Sequence, residues 1–279
     1  MLRVYSFLLY LVLPLALLRL WWRGIREPAY RKHWRERLGF VSLQFSQAPV
    51  WLHAVSVGEV RAAEPLIRAI QQRWPQLPLI VTTTTPTGRA TVEQLFGAGV
   101  SCVYLPWDLP GMVRRFVQKV RPAVTAVVET EIWPNLFTQL EREGIPLLLV
   151  NARLSRKSIK GYRKFRALFG PAIAAVTAIA ARSEQDADRF RELGAANDKV
   201  VVSGDLKLDY QLSDDADTRS RVVRSRIGER PVWVAGSTHA GEESMLLAAQ
   251  RRIVRQHPDA LLVIAPRHPE PVSYTHLTL

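Results

Sequence analysis

From Pro49 to Ser203 short apolar runs alternate with longer stretches of helical periodicity, and nothing else in the sequence restricts the fold as much. Val50–Ala54, Leu79–Thr83, Cys102–Leu105, Ala123–Val128, Pro146–Val150, Val176–Ala181 and Val200–Ser203 read as buried strands. Arg61–Trp74, Thr87–Phe96, Met112–Val120, Trp133–Glu143 and Glu184–Leu193 read as the helices between them, and a basic helical stretch follows Val150. Repeated βα units of this length call for a parallel sheet covered on both faces, so the fold class is α/β.

A second series begins after a polar connection, residues 211–230, which has room for a short helix. Val232–Ala235 reads as strand, Gly236-Ser237-Thr238-His239 as a turn, Gly241–Gln256 as helix and Ala260–Ala265 as strand. Two strands and one helix do not make a stable sheet domain alone. Residues 231–271 are therefore expected to be an incomplete second domain, and the chain by itself to be inactive. Residues 272–279 break the pattern and read as a non-native tail.

With 279 residues, 48% of them hydrophobic, the chain can bury a large core. Its one cysteine, Cys102, excludes a disulfide framework or a cysteine-based zinc site within one chain, and its apolar run suits a buried structural thiol. Six scattered histidines give no metal-ligand spacing. A net charge of +13 calls for an anionic partner: nucleic acid, anionic lipid or a phosphorylated substrate. Seven cations, Arg153, Arg156, Lys157, Lys160, Arg163, Lys164 and Arg166, crowd one acid-free stretch with Tyr162 and Phe165. That stretch reads either as a solvated face or as an anion-binding surface.

The N-terminus favours lipid. Val4–Leu18 is apolar apart from Ser6, and Trp21, Trp22, Arg23, Arg26, Arg31, Lys32, Arg35 and Arg37 follow. Interfacial tryptophans followed by arginines suit an uncleaved membrane anchor over residues 1–22, with Arg19, Arg23 and Arg26 on the cytoplasmic side. No small-residue cleavage pattern supports a signal peptide, and the flanking charge argues against a core helix. Pro14 and a length of fifteen apolar-run residues favour a monotopic or barely spanning helix.

The candidate chemistry lies where strands end and helices begin, the place where open α/β sheets bind ligands. His53-Ala54-Val55-Ser56-Val57-Gly58-Glu59 follows the first strand, and Glu59 can act as a general base or merely complement the helix dipole. Glu129-Thr130-Glu131-Ile132-Trp133-Pro134-Asn135 brings two carboxylates to the end of another strand, for chemistry or for capping. Thr82–Arg89, with Thr84 and Arg89, offers hydroxyls, amides and a guanidinium to a sugar or phosphate, or simply an N-cap. Ser237 and Thr238 at the expected helix start can hold a phosphate, and Arg267 and His268 follow the last strand. Carboxylates repel phosphate unless they have chemistry to do. Their pairing therefore favours an enzyme acting on an anionic lipid over a non-enzymatic protein binding nucleic acid or anionic lipid.

These motifs occur in one order together with Asn151-Ala152-Arg153-Leu154-Ser155, Gly236-Ser237-Thr238-His239 and Pro266-Arg267-His268-Pro269-Glu270. In that order, from residue 1 to about Glu270, the chain resembles the bacterial 3-deoxy-D-manno-octulosonic acid (Kdo) transferases of lipopolysaccharide synthesis. The resemblance implies a GT-B fold: a Rossmann-like acceptor-binding domain over residues 23–210 and a donor-binding Rossmann-like domain after the linker. It implies transfer of Kdo from CMP-Kdo to a lipid A precursor, lipid IVA, at the cytoplasmic side of the inner membrane. No nucleic acid and no cofactor or metal is implied. The match puts the base on Glu59 and a second important carboxylate on Glu131. Ser56, Gly58, Thr84, Arg89, Arg153, Arg156 and Lys157 are the implied acceptor-side contacts, and Ser237, Thr238, Arg267 and His268 the donor-side ones. A base at Glu59 further implies that positive charge or the helix N-terminus keeps its pKa low enough for it to be ionised at neutral pH. One departure stands out: Gly204-Asp205-Leu206-Lys207 replaces the family's usual Gly-Asn-x-Lys.

Overall fold

The structure is a computed structural model of the chain, and it describes residues 1–209, 216–239 and 241–267. Two compact units divide between Gln211 and Leu212.

The first unit opens with α1 (Leu2–Arg26), a single helix that runs through Pro14 without interruption. It is long and apolar enough to cross a membrane. A 3₁₀ turn (Pro28–Arg31) and α2 (Trp34–Arg37) lead to the sheet. Then come β1 (Val50–His53), α3 (Val57–Arg73), β2 (Leu79–Thr83), α4 (Pro86–Phe96) and β3 (Ser101–Tyr104). They are followed by α5 (Pro110–Val120), β4 (Val124–Val128), α6 (Pro134–Arg142), β5 (Leu147–Ala152), α7 (Arg156–Lys164) and α8 (Arg166–Ala174). The unit closes with β6 (Ala178–Ala181), α9 (Glu184–Leu193) and β7 (Val200–Val202).

The seven strands form one parallel sheet in the order β3-β2-β1-β4-β5-β6-β7. Alternate side chains of each strand feed opposite faces. Trp51, Ile80, Val127 and Leu149 join Phe116, Phe137, Ile173 and Phe190 in one apolar layer. Val50, Leu52, Val81 and Val128 join Val60, Ile67 and Val92 in the other. Covering on both faces explains why the strands read as unbroken apolar runs rather than alternating ones.

Helix starts differ from the sequence reading by up to four residues, most at α3. α3 begins at Val57 rather than Arg61, and α5 at Pro110 rather than Met112. Helices α4, α5 and α6 each begin on a proline, whose missing N–H belongs to the unpaired set of a first turn anyway. The basic stretch is two helices, broken at Phe165.

The second unit contains α10 (Ala216–Ile227) within the expected connection, then β8 (Val232–Thr238), α11 (Glu242–Ile253) and β9 (Leu261–Pro266). β8 and β9 pair in parallel. The expected turn at 236–239 is corrected here: β8 continues through Thr238. A register shift between Gly236 and Thr238, with Ser237 at φ 59°, absorbs the bend that was read as a turn. Residue 210, residues 211–215 of the expected linker, His268 and the tail 272–279 lie outside the described residues.

Candidate active site

Strand order reverses at β1, whose neighbours are β2 on one side and β4 on the other. The chain leaves the carboxyl ends of β1 and β4 in diverging directions, and the crevice so formed is the usual ligand site of an open α/β sheet. Glu59 follows β1, and Glu129 and Glu131 follow β4.

Glu59 sits in the first turn of α3, with Ser56 at the N-cap position. Its Oε2 accepts the Val55 backbone N–H at 2.6 Å, and Ser56 Oγ stands 3.5 Å from Oε1. The carboxylate therefore folds back onto the loop ahead of the helix, with Oε1 only weakly engaged. The expected lowering by positive charge or the helix N-terminus is not what the structure gives: the Glu59 carboxyl is pushed up to about 7. Burial is the main cause. The Val55 hydrogen bond opposes it, the negative charges of Glu131 and Glu129 add to it, and Ser56 opposes it weakly. Glu131 is raised to about 6, by burial first and by Glu129 second. Glu59 and Glu131 thus lie in one acidic cluster, with the Glu129 charge acting on both.

Backbone strain marks the same rim. Glu129 holds φ 61° and Asn151, at the carboxyl end of β5, holds φ 52°, both in the left-handed region that side chains beyond glycine seldom occupy. Gly58 is exposed, and a Cβ placed on it would meet only Ser56 Oγ, at 3.8 Å. The fold does not demand glycine there, so the space beside Glu59 is open.

Thr84 reaches the same loop, its hydroxyl donating to the Val55 carbonyl at 3.2 Å. Arg89 does not: it is held by Glu36 at 2.7 Å and Glu93 at 3.0 Å. Thr85 caps α4 by accepting the Gly88 N–H, so the capping reading of this turn is realised. His53 is fully buried, with Nδ1 against the Thr82 carbonyl, and burial lowers its pKa to about 4. It is a neutral structural ring. Arg153, Arg156 and Lys157 are exposed where β5 gives way to α7.

Three more residues lie near the cluster; the sequence pointed to Tyr162 and Arg37 only for their basic surroundings and gave no sign of Asp108. The Tyr162 phenol of α7 has its pKa raised by burial first and by the nearby Glu131 charge second, and its ring packs edge-on against Phe169 at 4.6 Å. Asp108 accepts the backbone N–H groups of Asn135 at 3.0 Å and Leu136 at 2.8 Å, capping α6 just beyond the Glu131 loop. Burial pushes its carboxyl up to about 6. Arg37, buried over the Tyr104 ring, donates to the Thr84 carbonyl and ties the segment after α1 to the site rim. Asp205, the departure from the family pattern, pairs with Arg182 at the end of β6, so its extra charge is met.

In the second unit, Ser237 is exposed and Thr238 buried. They are not at a helix start, because α11 begins at Glu242. The Thr238 hydroxyl donates to Glu243 at 3.0 Å and the His239 N–H to Glu242 at 2.7 Å. Two carboxylates in that first turn thus take the donors expected to hold a phosphate. Arg267 is exposed, its backbone N–H on the Thr238 carbonyl. Among the described residues no three His, Cys, Asp or Glu side chains converge to hold a metal.

Comparison with known proteins gives this geometry a family. Among solved structures, the UDP-GlcNAc 2-epimerase from Neisseria meningitidis bound to UDP-GlcNAc is similar, with TM-score 0.55 and 15% identity over 80% of this chain and 66% of that one. Another UDP-N-acetylglucosamine 2-epimerase gives TM-score 0.57 at 16% identity, covering 82% of this chain and 64% of that one. At such identity the likeness concerns the fold, which is of the GT-B type. The chain is 38% identical to the 3-deoxy-D-manno-octulosonic acid transferase of Haemophilus influenzae, over 95% of its own length and 63% of that protein. It is 36% identical to the Bordetella pertussis enzyme of the same name, over 80% and 53% of the two lengths. It is 33% identical to a probable mitochondrial one from Arabidopsis thaliana, over 96% and 61%. The chain thus spans less than two thirds of each of these relatives. Residues 32–210 match the sequence profile of the 3-deoxy-D-manno-octulosonic-acid transferases, and the chain belongs to that family.

Proposed function

We propose that the chain carries the acceptor-binding half and the catalytic base of an inverting glycosyltransferase. It moves Kdo from CMP-Kdo to a lipid A precursor, lipid IVA, at the cytoplasmic face of the inner membrane. The observation that carries the reading is the acid cluster Glu59, Glu129 and Glu131 at the switch point of the sheet, in a chain of this family.

Glu59 accepts the proton of the acceptor hydroxyl as that oxygen attacks the anomeric carbon of Kdo. The bond from that carbon to the CMP phosphate oxygen breaks, and CMP leaves with the electron pair. A base whose pKa lies near 7 is matched to work at neutral pH. Its Val55 hydrogen bond fixes the direction of the carboxylate, while Gly58 leaves room for the sugar. Glu131, steadied by the capped start of α6, orients the acceptor. Exposed Arg153, Arg156 and Lys157 meet its phosphates, and exposed Arg267 meets the phosphate of CMP. The arginines after α1 and its exposed apolar face hold the protein to an anionic leaflet.

The test is Glu59→Gln in the protein at the full length of its relatives. The amide keeps the size and the Val55 contact but removes basicity. Turnover of lipid IVA with CMP-Kdo should fall by about 10²–10⁴-fold, with CMP-Kdo affinity unchanged. Near-full turnover would move the base to another residue, Glu131 first.

A further inference from the structure

The exposure pattern of α1 is two-sided. Tyr5, Leu9, Leu13, Leu17 and Leu20 are half-exposed and Gly24 is buried, a less exposed stripe repeating every three or four residues. Both ends are tied down. Tyr5 Oη donates to Asp108 at 3.0 Å, and Ser6 Oγ donates to Asn135 Oδ1 at 3.0 Å. At the other end the Arg31 side chain fills the space over Gly24 and its guanidinium lies over Trp21. On the opposite side Phe7, Leu11, Leu15, Leu18 and Trp22 are 59–66% exposed. A helix crossing a bilayer sends its two ends to opposite sides, whereas the first turns of α1 are bonded to Asp108 and to Asn135 of α6, in the same unit into which its last turn leads. Its outward stripe suits a helix lying in the membrane plane with that face in one leaflet.

Such a helix brings a cleft to head-group level. Between the N-terminal end of α1 and α6 lies a cavity of about 500 Å³, lined by Arg3, Tyr10, Thr138, Gln139 and Arg142, with Phe7 at its apolar side. Arg3 and Arg142 are exposed and have no ion-pair partner among the described residues. Two unpaired guanidinium groups on facing elements are the donor set for one phosphate, and Phe7 gives an acyl chain apolar surface beside them. We propose that this cleft binds the phosphate of an anionic glycerophospholipid in the leaflet where α1 lies, apart from the acid cluster that handles the acceptor. The inference rests on the membrane-facing reading of α1 and not on the transfer reaction.

The test uses the full chain and flotation with vesicles of phosphatidylcholine alone or mixed with phosphatidylglycerol, at raised salt to screen diffuse attraction. Arg3→Ala with Arg142→Ala is compared with Arg19→Ala with Arg26→Ala, which removes the same charge from the other end of α1. The wild type and the second variant should prefer phosphatidylglycerol, and the first should lose that preference by about tenfold in affinity. Inorganic phosphate should not compete, since it lacks the acyl chains. Equal losses in the two variants would overturn the cleft, leaving only diffuse electrostatics. Competition by inorganic phosphate would overturn the lipid assignment in favour of a free-anion site. Failure of the wild type to float with either vesicle would overturn the membrane-facing reading itself. A Phe7→Trp variant checks the orientation. Brominated lipids should quench the fluorescence of the introduced indole and of native Trp22 from the same shallow depth, and unequal depths at the two ends would overturn the in-plane helix.

Discussion

Glu59 shows how much a single residue can owe to its neighbours. Its position in a strand-to-helix turn was legible in the sequence, but its proton affinity was not, because the burial that chiefly raises it is made by the fold and the charges that add to it arrive from the end of β4. The sign of the pH effect follows. The protonated acid cannot accept a proton, so kcat/KM should rise with pH through an acidic limb near 7 and level off above it. Glu131→Gln removes a negative neighbour that raises Glu59, so the limb should move to lower pH even if the maximal rate drops. A pH–rate profile of the full-length protein decides, and an unmoved limb would uncouple the two acids. Gly58 gives a second residue-scale test. Alanine there meets no close atom and favours the helix by up to about 1 kcal/mol, so Gly58→Ala should raise Tm slightly. If the acceptor occupies that space, the same change should raise the acceptor KM at least several-fold. Unchanged KM would empty the space of its meaning. Arg89 teaches the opposite lesson. Its pattern looked available to a ligand, yet its partner Glu36 lies 53 residues away in the chain, beyond any local signal.

At the scale of elements, local pattern carried most of the fold. All seven strands were readable from apolar runs because both faces of the sheet are covered. Helix starts were misjudged because a first turn is set by caps and prolines rather than by apolar periodicity, and β8 was cut short because Gly236 and Ser237 look like a turn. The cap of α6 was invisible for a related reason: Asp108 supplies it from 27 residues upstream. Helix α7 illustrates what an element can do as a unit. Only Ile159 is buried in it, and Arg156, Lys157 and Lys160 are exposed. Ser155 caps its start by accepting the Ser158 N–H at 3.0 Å, so the cations are presented on a formed helix. Changing Arg156, Lys157 and Lys160 together to Ala should leave the fold intact and weaken lipid IVA binding on the order of 10²-fold at low salt, less at high salt. Acceptor affinity that ignores both the mutations and the salt would return α7 to being a solvated face.

At the scale of the whole chain, the two units differ in how far their strands are removed from water. β1 and β2 are buried at every residue, between two apolar layers. β8 and β9 are mostly half-exposed, Val234 is 65% and Met245 69% exposed, and α11 buries no residue. Burial of apolar area is the main term holding a sheet against chain entropy, so the two units should open at very different free energies. Hydrogen exchange on this chain can read both at once. Amides of β1, β2 and β4 should exchange only through global unfolding of the first unit, with denaturant dependence to match. Amides of β8 and β9 should exchange by local opening, orders of magnitude faster and nearly independent of denaturant. Equal protection would mean that another surface covers β8 and β9 in solution. Selective slowing of β8 and β9 on adding CMP would instead show that the nucleotide orders the unit that presents Arg267, which is what a donor site built on those strand ends requires.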